Sequence, residues 1–199
     1  MLNIVFVCTG NICRSPLAQL LLAERLSDTP ATIFSSGTLA RDGMSMTPEM
    51  AQIADEHGIP LGRVRHHRAQ HLRSVSLEDV DLAIGMAREH RRELVELRPS
   101  LARRTFTLRE FARLAARLDE ADLNHEAQMC SASDAQDRLS GMLALVSSQR
   151  GREHPPAEAG DDDVVDPFRR SRRTYELSAG QIASAVPEIE RLVRVAYQT

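Results

Sequence analysis

Short apolar runs alternate along the chain with segments whose apolar residues recur at helical spacing. The predicted strands span residues 3–7, 32–35, 82–85 and 105–108, and the predicted helices span residues 16–26, 48–57, 89–97 and 174–197. Pro187 is expected to kink or split the last helix. Strands that alternate with helices form a parallel sheet covered on both faces. We therefore predict an α/β fold, a three-layer sandwich around a four-stranded parallel sheet, in a single domain over residues 1–199.

The composition is that of an ordinary globular protein. Of the 199 residues, 42% are hydrophobic and 27% are charged, and the net charge of −3 comes without a basic block, so nucleic acid is not an expected partner. No apolar run has membrane-spanning length, and no signal-peptide pattern precedes the first strand. Three cysteines do not suggest a disulfide framework. The 25 basic residues are all arginine, a bias that hints at a bacterial source, and we expect a cytoplasmic protein.

The strongest chemical signal is the sequence VCTGNICRSP at residues 7–16, between the first predicted strand and the first predicted helix. Backbone N–H groups in such a turn form a concave nest in front of a helix N-terminus, and both attract an anion. Ser15 is expected as the N-cap and Pro16 as the first helical residue. Gly10 and Asn11 tolerate the positive φ angles that a tightly curled loop needs. The sequence therefore predicts a binding site for a phosphate-like dianion.

Cys8 and Arg14 supply the reactive groups of this loop. The planar guanidinium of Arg14 can bind two phosphate oxygens. A helix N-terminus and a nearby cation lower the pKa of a thiol below its usual value of about 8.5, so we expect Cys8 to be a thiolate at neutral pH. Such a thiolate attacks a phosphorus atom held in the nest and gives a covalent intermediate. The spacing of these two residues alone is weak evidence, since a free cysteine is often only a small buried apolar residue.

Three segments together resemble one enzyme family. Residues 7–16 resemble the phosphate-binding loop of the low-molecular-weight protein tyrosine phosphatases. The sequence DVVDPF at residues 163–168 is similar to the family's Asp-Pro-aromatic segment, and SSGT at residues 35–38 is similar to its Ser-Ala-Gly-Thr turn. The resemblance covers residues 1 to about 111 and 163–197. It implies a metal-free and cofactor-free phosphatase that hydrolyses phosphotyrosine on proteins, or another phosphomonoester, through a phosphocysteine intermediate.

The resemblance assigns roles to individual residues. Cys8 is the nucleophile, Arg14 binds the phosphoryl oxygens, and Asp166 is the general acid that protonates the leaving oxygen. Asp163 is expected to be a solvated loop residue or a helper of that acid. The implied substrate-binding residues are Thr9, Gly10, Asn11, Ile12, Cys13, Ser15 and Phe168.

Other residues are implied to support the loop. Ser15 donates a hydrogen bond to the Cys8 sulfur, and Cys13 can form a reversible disulfide with Cys8 that protects the nucleophile. Ser35 and His67 join Asn11 in a hydrogen-bond network. The sequence HHRAQH at residues 66–71 departs from the family's His-x-Ala-Arg-Gln order, so an ordinary surface histidine is the alternative for His67.

The mouth of the predicted site differs from the family in one respect. Phe168 can stack on a phosphotyrosine ring, but Leu39 and Ala40 stand on the opposite rim, beside Arg41, where the family often has an aromatic residue. This departure leaves a phosphoarginine phosphatase open as an alternative.

The resemblance also marks residues 112–162 as an insertion, since a minimal family member has a shorter connection here. The spacing of Leu139, Met142, Leu143 and Val146 predicts an amphipathic helix, followed by a mobile loop that ends in the acidic residues 161–163. The segment is either a decoration of the surface or a lid or partner-docking element beside Asp166.

Two further functions remain open. A thiol-dependent arsenate reductase shares the fold and the loop, but it needs extra cysteines to relay a disulfide, and only Cys130 in the insertion is available beyond Cys8 and Cys13. A non-catalytic phosphate-binding or docking protein would be expected to lack the nucleophile, the arginine or the acid. His125, Cys130 and His154 lack the spacing of a metal site, so no metal is predicted.

Overall fold

The computed structural model describes residues 1–129, 134–152, 156–158 and 160–198. The strands are β1 (Leu2–Cys8), β2 (Ala31–Gly37), β3 (Leu82–Gly85) and β4 (Thr105–Thr107). The helices are α1 (Arg14–Arg25), α2 (Pro48–Glu56), α3 (Leu61–His66), α4 (Arg88–Leu97), α5 (Leu108–Ala115), α6 (Glu120–Met129), α7 (Ala135–Ser148) and α8 (Arg172–Tyr197). Three short 3₁₀ turns lie at Leu72–Ser74, Pro99–Arg104 and Gln149–Gly151.

The four strands form one parallel sheet in the order β2-β1-β3-β4. Its central strand β1 is buried on both faces, because successive side chains of a strand point to opposite sides. Ile4 and Phe6 join the core that packs under α1, α5 and α8, whereas Val5 and Val7 join a smaller core with Leu94 of α4. This two-sided burial confirms the three-layer α/β prediction.

The parallel register places the site. The carboxyl ends of parallel strands meet at one edge of the sheet, where open α/β sheets bind their ligands. Cys8 ends β1 opposite Gly37 of β2, and Val7 lies opposite Gly85 of β3. The loop that follows Cys8 therefore starts at this edge between the ends of β2 and β3.

Helix α8 runs without interruption through Pro187, so this proline does not split the helix, and the alternative that it kinks the helix stays a prediction. A proline in a helix interior removes one backbone hydrogen bond. Here Val186, Ile189 and Val193 on either side of it are fully buried in the main core. Their packing holds both halves of the helix in place despite the lost bond.

The described part of residues 112–162 is more buried than a surface decoration. Its start falls inside α5, and it contains the unpredicted helix α6 as well as the predicted α7. The four apolar side chains that predicted α7 are all fully buried, in the same core as α5 and α8: Leu139, Met142, Leu143 and Val146. The loop predicted to follow α7 includes residues 153–155 and 159, which lie outside the described residues.

Arginine contacts tie the end of α7 to the sheet. Arg150 pairs with Glu110 of α5 at 2.8 Å and donates to the carbonyl of Thr105 in β4 at 3.0 Å. Its guanidinium carbon also lies 4.3 Å from the ring centre of Phe106, which is within the range of a cation–π contact. The helix is thus held by apolar burial on one side and by these contacts at its C-terminal end.

We predict that truncating α7 inside the core destabilises the whole domain. Leu143→Ala should lower the free energy of unfolding by about 2–5 kcal/mol, as expected for a buried leucine that leaves a cavity. Leu177 on α8 is 55% exposed. Leu177→Ala is therefore the matched control and should change the free energy of unfolding by less than about 0.5 kcal/mol. Urea unfolding checks both values. Equal, small effects of the two changes would show that α7 is peripheral.

Candidate active site

The loop between β1 and α1 curls around the sulfur of Cys8. Asn11 has a φ of 53°, and this left-handed conformation turns the backbone N–H of Asn11 towards the Cys8 Sγ atom, with the nitrogen 3.2 Å from it. The hydroxyl of Ser15 lies 3.0 Å from the same sulfur. The sulfur is buried, and both groups can donate a hydrogen bond to it.

Ser15 is not the N-cap of α1, in contrast to the sequence prediction. The helix begins at Arg14, with Cys13 in the capping position and no side-chain cap. The Ser15 hydroxyl points inwards instead, where it accepts from Asn11 Nδ2 at 2.9 Å as well as contacting Cys8. Pro16 is therefore the third helical residue, and it still lies in the first turn, where its missing N–H costs no helical hydrogen bond.

A buried network fixes the left-handed turn. Asn11 Nδ2 also donates to Ser35 Oγ at 2.8 Å, and Asn11 Oδ1 accepts from the backbone N–H of Gln70 at 2.9 Å. The Asn11 carbonyl lies 2.8 Å from His67 Nε2, so this histidine carries its proton on Nε2. Burial lowers the pKa of His67. The structure thus brings Ser35 and His67 to Asn11, although the local sequence around His67 departs from the family order. The positive φ angle that was expected at both Gly10 and Asn11 is present only at Asn11.

Gly37 permits the close approach of β2 to the loop. A Cβ atom at this position would lie 2.6 Å from the carbonyl oxygen of Thr9 and 2.8 Å from the backbone nitrogen of Asn11. The next two residues, Thr38 and Leu39, donate backbone hydrogen bonds to the carbonyls of Cys8 and Thr9 at 2.9 Å. The SSGT turn therefore continues the pairing of β1 and β2 into the loop, and any larger residue at its third position would push the loop out of shape.

Arg14 lies at the junction of the loop and the segment that carries Asp166. Its guanidinium is almost fully buried, and Nη1 donates to the carbonyl of Val164 at 3.3 Å. Nη2 donates to Thr9 Oγ1 at 3.3 Å and pairs with Asp166 Oδ2 at 2.9 Å. The Asp166 side chain is 53% exposed. The structure therefore brings Cys8, Arg14 and Asp166 to one place, with a fixed cation and an accessible carboxylate.

These groups line a cavity of about 350 Å³. Its lining residues are Cys8, Thr9, Gly10, Ile12, Cys13, Arg14, Leu39, Arg41, Met44, Asp166, Phe168 and Arg169. Leu39 is 72% exposed at the rim, whereas Ala40 is buried in the core, so only Leu39 and Arg41 of the predicted opposite rim face the mouth. Met44 is a rim residue that the sequence did not reveal, because its loop carries no motif.

Cys13 is a buried thiol behind the loop. Its sulfur lies 3.4 Å from Thr47 Oγ1, and burial raises the pKa of Cys13 to about 11. Both Cys13 and Cys8 are free thiols in this structure, and the protective disulfide between them remains a prediction. Cys130 and His154, which entered the arsenate-reductase and metal-site hypotheses, lie outside the described residues.

His90 is a buried neighbour of the site that the sequence analysis missed. Its Nε2 atom lies 3.0 Å from Thr9 Oγ1, the same oxygen that accepts from Arg14. Within the described part of the chain, His90 Nδ1 has no hydrogen-bond partner. Burial and the charge of Arg14 lower the pKa of His90 to about 4, so it is neutral at pH 7. The sequence did not indicate this contact, because His90 stands in the charged sequence REHRREL, which is typical of a solvated helix.

The described residues offer no candidate for a metal site or a membrane-spanning helix. Across the described ranges, no three histidine, cysteine, aspartate or glutamate side chains converge in a way that could hold a metal ion. In the same ranges, none of the helices combines the length and the apolar character needed to cross a bilayer.

The comparisons with known proteins agree on one family. A family model described as low molecular weight phosphotyrosine protein phosphatase matches residues 3–131. A probable low-molecular-weight protein-tyrosine-phosphatase EpsP of Ralstonia solanacearum is 33% identical over 149 residues, which are 75% of this chain and 90% of that protein. A protein-arginine-phosphatase of Geobacillus stearothermophilus is 32% identical over 109 residues, which are 55% of this chain and 70% of that protein.

Two solved structures illustrate the shared fold. The YwlE arginine phosphatase from Geobacillus stearothermophilus superposes with a TM-score of 0.66 at 21% identity, covering 98% of this chain and 94% of that one. The tyrosine phosphatase AmsI of Erwinia amylovora superposes with a TM-score of 0.64 at 23% identity, covering 100% of this chain and 95% of that one. At these identities the superpositions support the fold alone.

We predict that His90 makes stability depend on pH. The unfolded chain protonates this histidine near pH 6.5, the folded protein only near pH 4. Protonation therefore favours the unfolded chain, so the stability from neutral His90 is fully present above about pH 6.5 and is lost as the pH falls towards 4.

His90→Gln removes this linkage while keeping a polar side chain beside Thr9. Between pH 7 and pH 5, the wild-type protein should lose about 2 kcal/mol more unfolding free energy than the variant, as proton linkage requires for this shift. Urea unfolding at the two pH values measures the difference, and His67 is common to both proteins. An equal loss in both would contradict the assignment.

Proposed function

This chain belongs to the low-molecular-weight protein tyrosine phosphatase family, and we propose that it hydrolyses phosphotyrosine on proteins through a phosphocysteine intermediate. The observation that supports this most directly is that Asp166, from a distant part of the chain, lies beside the loop that carries Cys8 and Arg14. The Cys8 sulfur accepts a hydrogen bond from the backbone N–H of Asn11, and the Arg14 guanidinium lies 2.9 Å from the Asp166 carboxylate.

In the first step the Cys8 thiolate attacks the phosphorus atom in line with the leaving oxygen. An S–P bond forms and the P–O bond to the tyrosine ring breaks. The backbone N–H groups of the nest and the Arg14 fork stabilise the equatorial oxygens of the transition state. Asp166, in its protonated form, gives its proton to the phenolic oxygen, so that the product leaves as neutral tyrosine.

In the second step a water molecule attacks the phosphocysteine. Asp166, now ionised, takes a proton from the water, a P–O bond forms and the S–P bond breaks. The hydroxyl of Ser15, 3.0 Å from the sulfur, donates a hydrogen bond to the departing thiolate. Phosphate is released and both Cys8 and Asp166 return to their starting states. The loop and Arg14 supply the electrostatic stabilisation in both steps, so no metal or cofactor has a part in this proposal.

The shape of the mouth supports an aryl substrate. Four apolar side chains line the cavity above the nest: Ile12, Leu39, Met44 and Phe168. Phe168 is 44% exposed, so its ring can stack on the ring of a phosphotyrosine. A phosphoserine has no ring that could stack on Phe168.

Phosphoarginine is the second candidate substrate, because two relatives of 32% and 31% identity are named protein-arginine-phosphatases. The Asp166 carboxylate at the mouth could pair with the guanidinium of such a substrate. The cationic side chains of Arg41 and Arg169 in the same lining would repel the guanidinium of a phosphoarginine substrate.

A nucleophilic free thiol needs a reducing compartment, which supports the cytoplasm as the place of action.

We predict that Cys8→Ser abolishes turnover of aryl phosphates, since a hydroxyl is far less nucleophilic here than a thiolate. The fold should persist, with unchanged circular dichroism. Cys130→Ser is the matched control for the loss of a thiol and should keep wild-type phosphatase activity. Steady-state assays with a tyrosine-phosphorylated peptide measure both. Substantial turnover by Cys8→Ser would end the proposed mechanism, and arsenate-dependent thiol oxidation that is lost in Cys130→Ser would favour the reductase.

We also predict that Phe168 at the rim contributes to a preference for phosphotyrosine over other phosphorylated residues. Phe168→Ala should lower kcat/KM for a phosphotyrosine peptide about 3- to 10-fold, the loss expected when one aromatic contact is removed. The same change should leave the low activity towards phosphoserine and phosphoarginine versions of that peptide nearly unchanged. If the wild-type protein instead turns over the phosphoarginine peptide fastest, the substrate is phosphoarginine and the mechanism at Cys8 still holds.

A further inference from the structure

We propose that Asp162 and Asp163 are positioning residues that hold the loop carrying the general acid Asp166. This inference rests on the proposed function, because it concerns how the acid of that reaction is aimed. The sequence suggested a solvated acidic run at residues 161–163. The structure shows instead that two of its three carboxylates are largely buried in specific contacts at the active-site edge of the sheet.

Asp163 acts as the missing N-cap of helix α4. The residue in the capping position is Ala87, which offers no side-chain hydrogen bond. Asp163, 75 residues away along the chain, accepts from the backbone N–H of Arg88 at 2.9 Å and pairs with Arg88 Nε at 3.3 Å. A carboxylate at a helix N-terminus satisfies an unpaired donor and is favoured by the helix dipole. Its position is therefore fixed to the end of β3, from which α4 starts.

Asp162 makes the corresponding attachment to helix α5. Its two carboxylate oxygens accept from Arg113 Nε at 3.1 Å and Nη2 at 2.7 Å, a bidentate geometry that restricts both partners. Its backbone carbonyl accepts from Thr107 Oγ1 at 2.7 Å, and Thr107 is itself the N-cap of α5. Asp163 thus fastens the loop to the start of α4, and Asp162 fastens it to both ends of the short helix α5.

The attachment continues up to the acid itself. The backbone N–H of Val164 donates to the carbonyl of Met86 at 2.8 Å, and the Val164 carbonyl accepts from Arg14. The backbone N–H of Val165 donates to Gln181 of α8 at 2.9 Å. Asp166 follows only three residues after Asp163, a distance of at most about 10 Å along the chain. The reach of its carboxylate is therefore set by these contacts.

The test measures how well the acid is aimed, using aryl phosphates whose phenols differ in acidity. A phenol that leaves readily needs little protonation, whereas a poor leaving group depends on the general acid. Asp163→Ala and Asp162→Ala should lower kcat for a poor leaving group by about 10- to 100-fold, because misplacing a catalytic group carries losses of this size. They should change kcat for the best leaving group only a few-fold. Asp161→Ala removes the same charge from an exposed neighbour whose carboxylate accepts from the backbone N–H of Glu158, and it should behave as wild type.

A double variant separates positioning from a general structural effect. If Asp163 acts through Asp166, then Asp163→Ala combined with Asp166→Asn should be no slower than Asp166→Asn alone. Asp163→Asn keeps the capping oxygen and should recover most of the rate, and it replaces the alanine variant in the cycle if that variant does not fold. A leaving-group dependence equal to that of wild type, or fully additive losses in the double variant, would overturn the inference. A wild-type protein without any phosphatase activity would instead overturn the proposed function.

Discussion

The left-handed turn at Asn11 is the constraint on which the site depends. A non-glycine residue in this conformation costs roughly 1–2 kcal/mol, yet Asn11 is fully buried with a φ of 53°. Its side chain and carbonyl make four hydrogen bonds, two from Nδ2, one to Oδ1 and one to the carbonyl oxygen. At roughly 0.5–1.5 kcal/mol each, they outweigh the strain, and the turn directs the Asn11 N–H at the Cys8 sulfur.

The sequence was sufficient to predict the part of the site that is local in the chain. The apolar run of β1, the loop that starts at Cys8 and the helix that starts near Arg14 are consecutive, so their order alone predicts a nest at the edge of a parallel sheet. The bounds of β3, residues 82–85, were also predicted correctly. The role of Ser15 was assigned only in part, since a serine before a proline at a helix start also fits an N-cap.

The contacts that could not be predicted join residues far apart in the chain. His90 reaches Thr9 across 81 residues, and Asp163 caps α4 across 75 residues. In the sequence both residues stand among charged neighbours, which is the pattern of a solvated surface. Their burial follows from the order of the strands, because β3 and β4 bring the starts of α4 and α5 to the same edge as the loop of β1. The burial of α7 follows in the same way from packing against α5 and α8, although its helical spacing was visible.

The pairing of Arg14 with Asp166 is asymmetric, and this asymmetry suits the chemistry. Arg14 is a nearly buried cation with hydrogen bonds to Val164 and Thr9, so its position is fixed before any substrate binds. Asp166 is half exposed, and a half-exposed ion pair contributes little to stability. A phosphate dianion carries more charge than one carboxylate and enters a nest of N–H groups, so it can replace Asp166 as the partner of Arg14. In the proposed mechanism the carboxylate is then free to act on the leaving oxygen, while the backbone behind it stays attached to α4 and α5.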